Sequence, residues 1–195
     1  WVTLSNTYYT NSQINPRMRL VHLLETSYVE APANQNSIVL DRDRFRQNGD
    51  GFMDEVHTLR NTYGADLCHL VSRSNSTSIC GIAASLSLSQ SLGFSVTRYV
   101  CGASTFAHEV GHNQGCAHDR PNAGGGGGPF CYSFGYRTPG NPQLITIMAY
   151  PPGTEIPYFS NPNPTVSGPI IAIPAVPGSS QPTAAANTRS IHQVA

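Results

Sequence analysis

The chain has 195 residues, 39% hydrophobic and 11% charged, and its 11 basic and 11 acidic side chains cancel to a formal charge of zero. That length suits one domain with a full core, and the composition argues against intrinsic disorder. No apolar run approaches the ~20 residues that cross a bilayer, and the basic residues, all Arg, form no cluster because Asp41 and Asp43 interleave with Arg42, Arg44 and Arg46, so neither a membrane nor a nucleic-acid partner is expected.

No secretory signal peptide is visible at Trp1, so the start reads as a processed end. From Trp1 to Asn11, Leu4 and Tyr8 stand four apart, as in the tail of a helix. Arg19 to Val29, rich in Leu and Val, is a strand candidate, and Ala31 to Asn48 reads as a polar loop. Gly49-Asp50-Gly51 opens a helix whose stripe is Met53, Val56, Leu59 and Tyr63, with Gly64 as its stop. The carboxylates around Asp50 fail the calcium-loop spacing and suit a helix N-terminus instead; the sequence leaves room for calcium without offering a motif for it.

Ala65 to Val71 reads as a buried strand and Ser72 to Ser78 as a polar turn. Ile79 to Ala84 and Ser95 to Cys101 are further strands, and a helix follows over roughly Ser104 to Gln114. Alternating strands and helices predict an α/β lobe with a mostly parallel sheet. The Gly run from Gly124 to Gly128 is a loop, and the Pro-rich remainder is irregular until a short helix near Thr183 to Val194.

The five cysteines, Cys68, Cys80, Cys101, Cys116 and Cys131, form no CxxC pair, which disfavours a thiolate zinc site. Scattered Cys with few charges and many Ser, Thr and Asn point to a secreted protein with disulfides. The pairs expected are Cys80 with Cys101 and Cys116 with Cys131, leaving Cys68 as a buried thiol.

The chemistry is concentrated between His108 and Asp119. His108 and His112 lie four apart, on one face of a helix and one turn apart, so both rings can grip one ion. Glu109 can reach a water at that ion. Gly115 can take backbone angles that turn the chain back, so that His118 supplies a third nitrogen. Three His ligands leave zinc an open position, as catalytic sites require. A lone HExxH arises by chance, but a third His and a Gly at the extended spacing make chance a poor account. His22, His57, His69 and His192 match no ligand pattern. Met148, in Thr146-Ile147-Met148-Ala149-Tyr150, is the candidate apolar floor beneath the metal.

These stretches, HEVGHNQGCAHD and TIMAY, resemble the signatures of the metzincin clan of zinc endopeptidases. GDGFMDEVHTLRNTYGADL, CGIA, YSFGYR and IPYFSNP resemble the bacterial peptidyl-Asp metallopeptidases and their reprolysin-like relatives. The likeness runs from roughly residue 15 to the C-terminus. It implies a metzincin (zincin-like) α+β fold: a twisted mixed sheet of about five strands with helices above a cleft, and a small irregular lower subdomain with a Met-turn. The resemblance also implies a first strand and most of a first helix ahead of Trp1, so a strand is expected to be missing from the sheet. Residues 1–195 then form one catalytic domain, with the upper part about 1–115 and the lower about 116–195.

The expected function is hydrolysis of internal peptide bonds of proteins or peptides by a secreted monomer. His108, His112 and His118 hold Zn2+, and Glu109 is the general base. Tyr150 falls two residues after Met148, where some metzincins place a zinc-reaching Tyr. If the enzyme cuts on the N-terminal side of Asp, as the resemblance suggests, the pocket needs a cation, for which Arg137 is the candidate. The alternatives are a catalytically silent binding module, which would not need Glu109, a structural zinc protein, which would want a fourth ligand, and an exopeptidase.

Overall fold

The computed structural model describes residues 1–32, 34, 36–73, 79–86, 89–124, 127–162, 165–166, 171–172 and 185–194. In chain order its elements are α1 (Val2–Asn11), α2 (Ser37–Arg46), α3 (Glu55–Tyr63), β1 (Cys68–Ser72), β2 (Gly81–Ala83), β3 (Phe94–Arg98), α4 (Gly102–Asn113), β4 (Ala117–Asp119), β5 (Phe134–Gly135), β6 (Leu144–Ile145), β7 (Thr154–Glu155), β8 (Thr165–Val166), β9 (Ile171–Ala172) and α5 (Asn187–Val194).

The main sheet has the order β1-β3-β2, with β1 parallel and β2 antiparallel to the central β3. Among the described residues it is therefore a mixed sheet of three strands, smaller and less parallel than the sequence suggested. Alternation along β3 divides its side chains between two layers. Phe94 and Val96 join Ile38, Phe45 and Met53 in one buried cluster beneath α2. Ser95, of the opposite parity, meets His69 across the β1–β3 pairing, Nδ1 to Oγ at 2.7 Å. His69 also packs edge-on against Phe106 of α4. The second core cluster lies below α4 and unites Tyr9, Ile14, Ala107, Cys116, Ile147, Met148, Phe159 and Ile191. Residues from both ends of the chain thus support the helix that carries His108 and His112.

Two expectations about elements fail. Arg19–Val29 forms no strand: Leu20, Leu23 and Val29 are exposed, and an apolar run earns a strand only through a ladder partner. Within Ala31–Asn48 lies α2 rather than a loop. Its Asp and Arg side chains disguised a face made of Ile38, Asp41 and Phe45, spaced as a helix needs and buried. Asp41 is buried with its Oδ1 accepting from Tyr28 Oη and the Ala31 N–H, at 2.6 and 2.8 Å.

The other elements fall near their expected places, but β1, expected to be buried, is only partly so, with Val71 exposed. Gly64 ends α3 in the left-handed conformation, φ 60°. Asp54 occupies the N-cap position of that helix as expected, but its carboxylate makes no cap bond and draws in the preceding loop instead, accepting the Gly49 and Gly51 N–H groups at 2.6 and 3.0 Å. Positions 74–78 of the expected polar turn, 125–126 of the Gly run and 183–184 at the start of the last helix lie outside the described residues.

Cys80 and Cys101 form the expected disulfide. Cys116 and Cys131 do not pair. Cys116 is fully buried in the lower cluster, with Sγ directed at the Asn187 carbonyl at 3.7 Å, whereas Cys131 is exposed. Cys68 is half-buried in β1.

Candidate metal centre

Helix α4 brings two imidazoles to one side because four residues make little more than one turn. His108 and His112 are both buried. The helix closes at Gln114. Gly115, at φ 81°, then reverses the chain, with its N–H on the His112 carbonyl and the Cys116 N–H on the Gly111 carbonyl, each 2.9 Å. A Cβ would resist that angle. The reversal delivers β4, whose middle residue is His118.

The three imidazoles converge. His118 Nε2 lies 3.0 Å from His112 Nε2 and 3.1 Å from His108 Nε2. The far ring nitrogens determine what these atoms are. His108 Nδ1 meets the Ile147 carbonyl and His112 Nδ1 the Cys116 carbonyl, each at 2.7 Å. A carbonyl only accepts, so Nδ1 carries the proton and Nε2 presents a lone pair. Lone pairs facing one another at this distance repel unless a cation lies among them. Nitrogens at ~2.0–2.1 Å from a tetrahedral zinc stand about 3.3 Å apart, close to the spacing here, so the donor set fits that ion. Burial holds His108 down to about 4 and His112 well below the ordinary imidazole range, and also lowers His118. All three are therefore neutral, and able to ligate, at neutral pH.

Met148 is fully buried beneath the helix. A Cβ at Gly111 would stand 2.8 Å from its Sδ, so Gly111 admits the thioether close to the helix between His108 and His112. Glu109 is 5% exposed, and burial pushes its carboxyl up to about 8, opposed by the Ala83 backbone N–H that donates to it. Tyr150 is 43% exposed, with its ring centroid 4.1 Å from that of His118 and 5.9 Å from that of His108. Burial, then the negative charges of Glu109 and Asp119, raises its phenol, which stays a proton donor at neutral pH.

Arg137 stands one residue-layer away, directed inward. It donates to Asp119 Oδ2 at 3.3 Å, to Gln143 Oε1 at 3.0 Å, to the Pro152 carbonyl at 2.7 Å and to the Tyr150 carbonyl. Asp119 is the hub of this network: its carboxylate also accepts the Tyr150 N–H at 2.9 Å and the Asn122 side-chain amide. The sequence marked Asp119 as the residue after the third His, an ending that resembles the reprolysin type; the partners it gathers were not legible there. His22, His57, His69 and His192 lie outside the His cluster.

A family model described as metallo-peptidase family M12 matches residues 2–160. The chain is 35% identical over 173 residues to a peptidyl-Asp metalloendopeptidase of Xanthomonas campestris pv. campestris, covering 86% of this chain and 39% of the relative. It is 36% identical over 177 residues to one of Stenotrophomonas maltophilia, covering 86% and 40%. A third, of Pseudomonas fragi, is 30% identical over 162 residues, covering 82% and 83%. The chain thus spans about two fifths of the first two relatives' length. A solved structure described as "Structure of a chaperone-substrate complex" shares the fold, with a TM-score of 0.65 at 20% identity over 98% of this chain and 28% of that one.

Proposed function

The chain belongs to metallo-peptidase family M12, and from that premise we propose that it is a secreted zinc endopeptidase hydrolysing internal bonds of protein or peptide substrates. The observation that carries the reading is the convergence of three neutral Nε2 atoms beside a buried carboxylate. His108, His112 and His118 hold the zinc, and residues 1–195 act as one catalytic domain with its lobes dividing near residue 115. Zinc, when bound, supplies a positive charge that acidifies water and polarises the scissile carbonyl.

Glu109 takes a proton from the attacking water and passes it to the amide nitrogen, whose bond to carbon then breaks. Burial keeps that proton from bulk solvent between the two transfers. Tyr150 donates its phenolic proton in a hydrogen bond to the oxyanion. Tyr150→Phe should lower kcat by about 10²-fold with KM little changed; an unchanged kcat would remove Tyr150 from the mechanism.

Secretion is supported by the Cys80–Cys101 disulfide, which persists in oxidising surroundings. Among the described residues no helix is long and apolar enough to cross a membrane. Cutting beside Asp is carried over from the names of the relatives. Arg137 was the candidate cation for that pocket, but its donors face Asp119, Gln143 and main-chain carbonyls, which favours a brace for the loop after Met148. Arg137→Ala should then lower kcat/KM roughly 10–100-fold for acidic and neutral peptides alike. A loss confined to acidic substrates would restore it as the pocket cation.

The overall reading is tested by mass spectrometry of peptides released from a denatured protein mixture, with and without a zinc chelator. Internal cuts that vanish with chelator are expected. Ladders trimmed from one end would indicate an exopeptidase. No cuts from folded, zinc-loaded protein would favour the silent binding module.

A further inference from the structure

Strand β2 stands against the helix that carries Glu109. A Cβ added to Gly81 would lie 2.6 Å from Glu109 Cγ, 2.7 Å from Oε1 and 2.9 Å from Cδ. Carbon atoms do not approach so closely, so any side chain at position 81 would have to displace the carboxylate. Gly81 does not have the positive φ that would itself demand glycine. Its backbone is ordinary strand paired with Thr97, and a glycine weakens a strand. Its advantage here is therefore space.

Two neighbours sharpen the fit. Two residues along β2, the Ala83 N–H donates to the Glu109 carboxylate. One residue before Gly81, Cys80 is bonded to Cys101, which immediately precedes α4. The strand is thereby fastened to the start of the helix it faces, and the gap between them at Glu109 is held at both sides.

We propose that Gly81 is a positioning residue for Glu109: the space left by its absent side chain, together with the Ala83 N–H, forms a slot on β2 that sets where the carboxylate lies relative to the three histidines. This rests on the general-base role proposed for Glu109. Reorienting a reacting group by about 1 Å can cost 10²-fold, so even one methyl group at position 81 has a large effect.

The test is a double-mutant cycle read on metal-free protein by thermal unfolding, using wild type, Gly81→Ala, Glu109→Ala and the double variant. Gly81→Ala should lower Tm by about 5 °C through overpacking. In the Glu109→Ala background the same change should cost within about 1 °C, because the clashing atoms are gone. With zinc, Gly81→Ala should keep its metal and lose about 10²-fold in kcat with KM within about twofold. Equal Tm losses in both backgrounds, or undiminished kcat, would overturn the slot. If Gly81→Ala does not fold, the double variant must fold; failure of both would overturn it too. Should wild type prove inactive while the cycle is non-additive, the general-base reading fails and the slot stands.

Discussion

Replacing Glu109 by Gln should abolish nearly all turnover, by about 10⁴-fold in kcat, while zinc content and Tm remain near those of the parent. Gln keeps the volume and can fill the same space beside Gly81, so the packing that holds the helix against β2 is preserved. It cannot accept the proton from water or return one to the leaving amine. In the metal-free protein burial pushes the Glu109 carboxyl up to about 8, which would leave a poor base at neutral pH. A positive ion held by His108, His112 and His118 would favour the ionised form and bring the carboxyl back down. On the proposed reading the base would then become available when the metal is present. Zinc bound at full occupancy with undiminished turnover would remove Glu109 from the proposed role.

Stripping the zinc should lower Tm by roughly 10 °C, given ligand at about 1,000 times its dissociation constant, and should abolish cleavage. His112→Ala should mimic chelation, with zinc affinity down by more than about 100-fold. The effect should depend on pH in a definite direction. Burial holds His108 at about 4, below its ordinary value, so its contribution to folding is present above the ordinary imidazole range and is lost as pH falls toward 4. Glu109 has the opposite sign. Its folded value is raised to about 8, so its contribution is present below the ordinary carboxylate value and is lost as pH rises through 8. Above the ordinary imidazole range the histidines are neutral, and zinc need displace only the proton on Glu109. The Tm gap between zinc-loaded and metal-free protein should therefore widen as pH rises from about 7 to about 8, and flatten in Glu109→Gln. Differential scanning calorimetry at matched zinc concentration measures both. A gap of the same slope in the Gln variant would exclude Glu109 as its source.

Several readings that held rested on local backbone geometry. His108 and His112 share a face because helix geometry repeats every few residues, and Gly115 turns the chain because it alone lacks the Cβ that opposes φ 81°. Gly64 ended its helix for the same kind of reason. Where composition and pattern disagreed, composition misled. The charged residues of α2 concealed a buried face, and the leucines of Arg19–Val29 suggested a strand that no partner completes. A helix satisfies its hydrogen bonds internally, but a strand requires a neighbour that its own residues do not specify.

The sequence by itself determined the identity and spacing of the candidate ligands, the carboxylate beside them and the Met148 segment. Only the tertiary structure decided how those groups are held. The Ile147 carbonyl fixes the ring of His108 across 39 positions, and Asp119 holds the Tyr150 N–H across 31. Arg137 turns inward to Asp119, Gly81 yields its space to Glu109, and Cys116 is buried away from Cys131. The physical reason is separation along the chain: a motif within one turn of helix is set by bonds the residues make with themselves, whereas each of these contacts exists only after distant segments have packed and excluded water between them.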